Sequence, residues 1–123
     1  MKKTLFVSIA NYKDPECLFT VRNLLEKASG DLEIHICVFS QIDLEDRSFD
    51  ELDSIENVNH VKYDFRKARG VCWARKQCQS YYNNEDYYLQ IDSHILFTEN
   101  WDRLLLEDHE KALKYGRKAI LTA

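Results

Sequence analysis

An apolar strand candidate, "DYYLQID" (86–92), runs directly into Ser93 and His94, which places a carboxylate and an imidazole two residues apart. Because residues i and i+2 of an extended chain point to the same side, Asp92 and His94 can face one ion. A carboxylate oxygen and an imidazole nitrogen suit a divalent metal such as Mn²⁺ or Mg²⁺, which can neutralise a departing diphosphate. The structural alternative is that Asp92 caps a turn and that His94 packs beneath a loop.

A basic segment, "RKARGVCWARKQ" (66–77), is the second candidate for chemistry. Gly70 allows a ligand to approach the backbone closely, and guanidinium groups near a helix start suit phosphate. Arg75 is the favoured phosphate contact because apolar residues surround it. The alternative is a solvated basic helix face that balances the acidic segment 43–56. The cationic side chains of the segment are Arg66, Lys67, Arg69, Arg75 and Lys76.

A third candidate is "NYKD" (11–14), which follows the first strand pattern. Tyr12 can stack on a nucleotide base, and Asp14 can accept a hydrogen bond from the ring of that base. Alternatively, Asp14 is the N-cap of the helix that starts near Pro15. One side chain is not expected to hold both roles.

The elements that must position these residues alternate between strand and helix patterns. Strand patterns occupy 4–10, 32–40, 58–64 and 86–92; helical patterns occupy 16–28, 66–82 after a loop, and 100–116; residues 41–57 form an acidic loop or short helix. This alternation predicts one α/β domain over residues 1–123 with a largely parallel sheet, whose ligands bind where the strands end. The final "KAILTA" (118–123) resembles the start of another strand, so the fold is expected to be incomplete at its C-terminus.

Composition narrows the classes of function. The chain has 123 residues, 45% of them hydrophobic and 31% charged, with a net charge of −4. Without a basic stripe, nucleic-acid binding is not expected. No apolar run reaches the length of a membrane span, and the N-terminal "MKKTLFVSIANYKDPE" lacks the pattern of a secretory signal. A cytoplasmic location is therefore expected, with binding at a membrane face through segments not present here as the alternative.

The other residues with reactive side chains are assigned structural roles. The cysteines form no CxxC pair and are expected to be reduced and buried. Trp101 is expected to anchor the core, and the histidines of the strand patterns and the last helix are expected to be pairing, surface or solvated residues. These residues are Cys17, Cys37, Cys72, Cys78, His35, His60 and His109.

Three ordered motifs carry a family resemblance: "FVSIANYKDPE" (6–16), "RGVCWAR" (69–75) and "YYLQIDSHILFTENWD" (87–102). On these motifs, nearly the whole chain resembles the GlcNAc-transferase family that includes the cytoplasmic hydroxyproline N-acetylglucosaminyltransferases. The "DSH" is also similar to the DxH variant of the DxD signature of GT-A glycosyltransferases.

The resemblance implies a GT-A fold, a Rossmann-like sheet with flanking helices that binds nucleotide-diphospho-sugars. It implies that Asp92 and His94 hold a divalent metal at the diphosphate of UDP-GlcNAc, and that Asp92 or Ser93 contacts the ribose. The other implied donor-binding residues border the uridine (Ala10, Asn11, Tyr12, Asp14, Gln41) or flank the nucleotide (Arg69, Gly70, Arg75). Related DxH enzymes have a further histidine ligand later in the domain, and no histidine follows His109 here.

The function expected from this resemblance is a metal-dependent transfer of a sugar, GlcNAc, from a UDP-sugar to a hydroxyl acceptor on protein or glycan. In the hydroxyproline-modifying relatives the anomeric configuration is retained, and no residue of this chain is identified as a catalytic nucleophile. The alternative is a non-catalytic nucleotide-sugar-binding or interaction module. An oligomer or a partner chain is one way in which the fold could be completed. A dinucleotide-binding Rossmann enzyme is disfavoured because no GxGxxG follows the first strand.

Overall fold

The computed structural model describes residues 2–113, and the predicted strand at 118–123 lies outside them. The chain alternates strands with helices, as the sequence pattern predicts. The strands are β1 (Lys3–Tyr12), β2 (Leu32–Ile42), β3 (Val58–Asp64) and β4 (Tyr87–Asp92). The helices are α1 (Cys17–Lys27), α2 (Val71–Gln79) and α3 (Trp101–Leu113), with 3₁₀ helices at Arg47–Ser54 and Phe65–Lys67.

The described strands form one parallel sheet in the order β3-β2-β1-β4. The chain therefore leaves every strand at the same edge, the carboxyl edge. The ladder pairs Ala10 with Asp92, and it pairs Asn11 with Ser40. This parallel α/β sheet with flanking helices confirms the predicted fold class and brings the segments after β1, β2 and β4 together.

Helices cover both faces of the sheet, because its strands are apolar on both sides. On one face, residues such as Val7, Ile9 and Val38 pack with α1, α3 and the 3₁₀ helix Arg47–Ser54. On the other face, Phe6 and Phe39 pack against α2. Successive residues at a strand end therefore point towards α1 and α2 alternately, which decides where each site residue lies.

Trp101 anchors α3 as predicted, since its side chain is buried and its Nε1 donates a hydrogen bond to the Leu24 carbonyl at 2.8 Å. The prediction for Cys72 was wrong: it is exposed, because it lies in the first turn of α2 on the side away from the sheet, whereas the other three cysteines are buried. Of the two roles expected for His60, pairing or surface, the structure shows pairing: its side chain has no exposed surface and lies under the 3₁₀ helix Arg47–Ser54, with Nδ1 2.9 Å from Oδ1 of Asp53. None of the helices in residues 2–113 has the length and apolar character needed to cross a bilayer.

Candidate functional site

Asp14 holds the centre of the carboxyl edge with both of its carboxylate oxygens. Its Oδ1 accepts a hydrogen bond from the Glu16 amide at 2.9 Å, in the turn that starts α1. Its Oδ2 accepts from the Ser93 hydroxyl at 2.7 Å and lies 3.0 Å from Nδ1 of His94. The alternative that Asp14 is the N-cap of α1 was wrong, because the N-cap is Glu16 and no side chain caps this helix. The contact of Asp14 with the uridine stays a prediction.

The environment of Asp14 favours its ionised form. Burial alone would raise the pKa of this carboxyl group, but hydrogen bonds from Ser93, Glu16 and His94 together hold the pKa below its usual value of 3.8. An ionised carboxylate only accepts hydrogen bonds, so Nδ1 of His94 carries the proton. That leaves Nε2, the other ring nitrogen, for a different partner.

The segment after β4 is fixed against α1 by side chains of that helix. The Thr20 hydroxyl donates to the Ser93 carbonyl at 2.8 Å and accepts from the Ile95 amide at 3.2 Å. The Asn23 side chain accepts from the Phe97 amide at 2.6 Å. Ser93 is buried by these contacts, and its hydroxyl is occupied by Asp14; its predicted contact with ribose stays a prediction.

His94 is presented at the surface, with 62% of its side chain exposed. It therefore does not pack beneath a loop. Asp92, the last residue of β4, is also exposed, and its Oδ1 lies 3.4 Å from Nη2 of Arg75 rather than in a turn cap. The alternative, in which Asp92 caps a turn and His94 packs beneath a loop, is therefore not observed. Both side chains lie at the carboxyl edge and are accessible to solvent.

The cationic residues of the basic segment differ in their contacts: some pair locally, and one contacts the candidate site. Arg66 lies 3.7 Å from Asp43 of the acidic segment and packs on the Phe65 ring, as the alternative of a solvated, charge-balanced surface predicts for this residue. Arg75 instead contacts Asp92 from α2. Gly70 caps the start of α2 with a φ of +91°, a conformation that only glycine adopts readily. The Arg69 guanidinium lies 5.9 Å from the centre of the Trp73 ring.

Three predicted uridine contacts lie at the ends of β1 and β2 on the α2 side. Tyr12 is 56% exposed, and Ala10 lies next to Asp92 in the sheet. Gln41 is only 2% exposed, and its Oε1 has no hydrogen-bond partner among the described residues. A buried acceptor without a donor is unfavourable by about 1–3 kcal/mol, so Gln41 is suited to a donor supplied from outside.

Asn11 lies beneath the carboxyl edge and is fully buried. Its Oδ1 accepts from the Asp14 amide at 3.0 Å, and its Nδ2 donates to the Ser40 hydroxyl at 3.0 Å. Ser40 in turn contacts His60, which contacts Asp53. Sequence reasoning missed these last three residues; the one available signal was that Asn11 and Ser40 are polar residues at the ends of apolar strands.

The arrangement brings a carboxylate, an imidazole nitrogen and a guanidinium to one exposed edge. Within residues 2–113 no three His, Cys, Asp or Glu side chains are placed to hold a metal ion together. Asp92 and Nε2 of His94 can supply two ligands, so a divalent ion there would need further oxygens from a bound molecule. A phosphorylated ligand has both these oxygens and the negative charge that Arg75 attracts.

Comparison with known proteins agrees with the motifs. A family model described as "Glycosyltransferase (GlcNAc)" matches residues 4–56 and 51–123. No curated protein matches the chain. The two matched segments cover nearly all of the sequence and include every residue of the carboxyl edge described above.

Proposed function

This chain belongs to the GlcNAc glycosyltransferase family, and we propose that it binds UDP-GlcNAc through a divalent metal for transfer of GlcNAc to a hydroxyl acceptor on protein or glycan. The observation that carries this proposal is the pairing at the carboxyl edge. Asp92 lies beside Arg75, and His94 is held by Asp14. These contacts bring a carboxylate, an imidazole and a guanidinium to the edge where parallel α/β sheets bind nucleotides, which supports the proposal.

The donor set suits Mn²⁺ or Mg²⁺ bound together with a diphosphate. Asp92 and Nε2 of His94 would hold the ion, and Asp14 orients the imidazole from its other nitrogen. A carboxylate that accepts from the second nitrogen of a metal-binding histidine is a recurrent support in metal sites. When bound, the ion supplies positive charge that stabilises the leaving diphosphate.

Arg75 and the start of α2 are proposed to contact the diphosphate from the other side. Arg75 is held towards the site by its contact with Asp92, so its charge lies where the phosphates would be. Gly70 leaves the backbone at the start of α2 open, because a Cβ added there would meet nothing within 4 Å. Fixed positive charge beside a leaving diphosphate lowers the barrier without a rearrangement during the reaction.

The uridine is proposed to lie over the ends of β1 and β2. Tyr12 offers an exposed ring for stacking. Gln41 Oε1 is buried without a partner among the described residues, and it would gain one by turning towards the N–H of the uracil ring. A cytosine or adenine ring presents a different pattern of donors and acceptors. The site should therefore distinguish UDP from CDP and ADP.

Calorimetric titration tests the proposed donor. In buffer with Mn²⁺, the chain should bind UDP and UDP-GlcNAc at least about tenfold more tightly than ADP, since Gln41 would otherwise stay unpaired. In Gln41→Leu this preference should fall, because the acceptor is gone. Equal affinity for all nucleotides, or no binding of any, would contradict the proposed donor.

Turnover separates the enzyme from the non-catalytic alternative. Release of UDP from UDP-GlcNAc in the presence of Mn²⁺ would be expected of a transferase, with water as the acceptor. Tight binding of UDP-GlcNAc without release of UDP would favour a nucleotide-sugar-binding module. Asp108→Asn, a change on the exposed side of α3, is the control for nonspecific loss of activity.

A further inference from the structure

A continuous chain of hydrogen bonds runs beneath the carboxyl edge, from Asp53 to the backbone of Asp14. Asp53 Oδ1 lies 2.9 Å from His60 Nδ1, and His60 Nε2 lies 2.8 Å from the Ser40 hydroxyl. The Ser40 hydroxyl accepts from Asn11 Nδ2 at 3.0 Å, and Asn11 Oδ1 accepts from the Asp14 amide at 3.0 Å. We call this set the buried relay; it consists of the buried side chains of Asn11, Ser40 and His60 and, at its outer end, the exposed side chain of Asp53.

The direction of each hydrogen bond in the relay follows from the chemistry of its groups. Asp53 can only accept, so His60 donates from Nδ1 and keeps a lone pair on Nε2. Ser40 accepts from Asn11, and its own hydroxyl proton therefore points to that lone pair. Each contact between neighbouring side chains of the relay then joins one donor to one acceptor, and this holds only while His60 is neutral.

The sequence of Asp, His and Ser resembles a hydrolase triad, but Ser40 cannot act as a nucleophile in this state. Its side chain is fully buried, and its oxygen already accepts a hydrogen bond from Asn11. A substrate has no path to that oxygen in the folded protein. Any effect of the relay on the site must therefore come from the group that it holds in place, the backbone of Asp14.

The relay ends on a strained turn. Lys13, between Asn11 and Asp14, has a φ of +52°, a left-handed conformation that is unfavourable for a residue with a side chain. The turn is held on both sides, by the Lys13 amide donating to the Gln41 carbonyl at 3.1 Å and by the Asp14 amide donating to Asn11. Strain of this kind persists only where the surroundings hold it in place.

We propose that His60 is a positioning residue for the donor site: through Ser40 and Asn11 it holds the turn that presents Asp14 to Ser93 and His94. The expected consequence of this positioning is tighter binding of the nucleotide with its metal, and only that consequence rests on the proposed function. The positioning itself is a property of the unliganded protein. An apolar strand pair would pack the sheet without three buried polar side chains, so the relay serves a purpose other than packing.

The charged groups around His60 favour its neutral form. Burial holds the pKa of His60 below its usual value of 6.5, against the opposing effect of Asp53; Lys62 also lowers it and Asp50 raises it. Lys62 contacts both Asp50 and Asp53, at 3.0 and 2.8 Å, and so fixes the outer end of the relay. If His60 were protonated, both Asn11 and His60 would donate to the Ser40 oxygen, and the hydroxyl proton of Ser40 would have no acceptor.

Hydrogen exchange of the unliganded protein tests the positioning directly. In His60→Ala the protection factor of the Asp14 amide should fall about tenfold, the effect of losing about one hydrogen bond. The amides of the β1–β2 ladder should keep their protection. His60→Gln, whose side-chain oxygen can accept from Ser40, should restore most of the loss. His35→Ala is the matched control, because His35 also lies in a strand but pairs with Glu33 and Glu85 at the opposite edge.

Two outcomes would overturn the proposal. One is a folded His60→Ala protein with unchanged protection at Asp14; the other is an equal loss at Asp14 and throughout the ladder, which would mean a structural role alone. If His60→Ala does not fold, Ser40→Ala breaks the same relay and is judged by the same two readouts.

Titration of UDP with Mn²⁺ then separates the two proposals. Weaker binding in His60→Ala than in His35→Ala supports the consequence for the donor site. If the wild type does not bind UDP, the proposed function fails, while the exchange data still decide whether His60 positions Asp14.

Discussion

At the scale of single residues, the site depends on how Asp14 divides its two oxygens. One oxygen closes the turn at the start of α1, and the other joins Ser93 and His94. The sequence predicted neither the contact with Ser93 nor the contact with His94, because spacing along the chain does not show which oxygen faces which neighbour. Only the folded chain brings residues 14 and 94 within 3.0 Å of each other.

Asp14→Asn is predicted to weaken the metal site while leaving the helix start intact. Asparagine keeps an oxygen for the Glu16 amide, but its NH₂ group would face the N–H of His94. Losing such a support typically weakens metal affinity by about 10- to 100-fold. Mn²⁺ titration followed by electron paramagnetic resonance, with UDP present, measures this. Asp31→Asn, which removes an exposed pair with Arg103, should bind Mn²⁺ like the wild type.

The buried His60 predicts a pH dependence of stability. Because its pKa in the folded state lies below the usual 6.5, the unfolded chain binds the proton more readily. The contribution of this residue to stability is complete above pH 6.5 and is lost as the pH falls through the folded-state pKa. Urea unfolding should therefore show that lowering the pH from 8 to 5 reduces the free energy of unfolding less in His60→Gln than in the wild type. Parallel pH profiles of the two proteins would contradict this assignment.

At the scale of elements, the strand ends are what the sequence predicts least well. Periodicity predicted β3 over 58–64, as observed, but it ended β1 at residue 10 and β2 at residue 40, two residues early in each case. Asn11 and Gln41 lie in the omitted residues. Polar side chains interrupt an apolar pattern, whereas the ladder continues because Asn11 pairs with Ser40 and Tyr12 with Gln41.

A prediction at the scale of elements concerns Gly70, at the start of α2. Gly70 and Gly30 both have a positive φ, of +91° and +88°, and an added Cβ would meet nothing within 4 Å at either position. Replacing either with alanine should therefore lower the free energy of unfolding through backbone strain alone, by about 1–3 kcal/mol. Only Gly70→Ala should also weaken UDP binding, since Gly30 follows α1, away from the carboxyl edge. Equal effects on UDP binding would remove Gly70 from the site.

At the scale of the whole molecule, one parallel sheet brings together segments that are distant in sequence. The order of strands and helices and the likeness to GT-A motifs were enough to predict the sheet and the edge that carries Asp92 and His94. The buried relay was not predictable, because it depends on the register that aligns Asn11 with Ser40 and on the packing of His60 under a 3₁₀ helix.

The central claim is that Asp92 and His94 anchor UDP through a divalent metal, and titration of UDP with and without Mn²⁺ tests it most directly. Wild-type protein should bind UDP at least about tenfold more tightly with Mn²⁺, a difference of about 1.4 kcal/mol. Asp92→Asn and His94→Ala should lose that difference, whereas Asp108→Asn and His35→Ala should keep it. Unchanged UDP affinity on adding Mn²⁺, with both site variants binding like the wild type, would contradict the account.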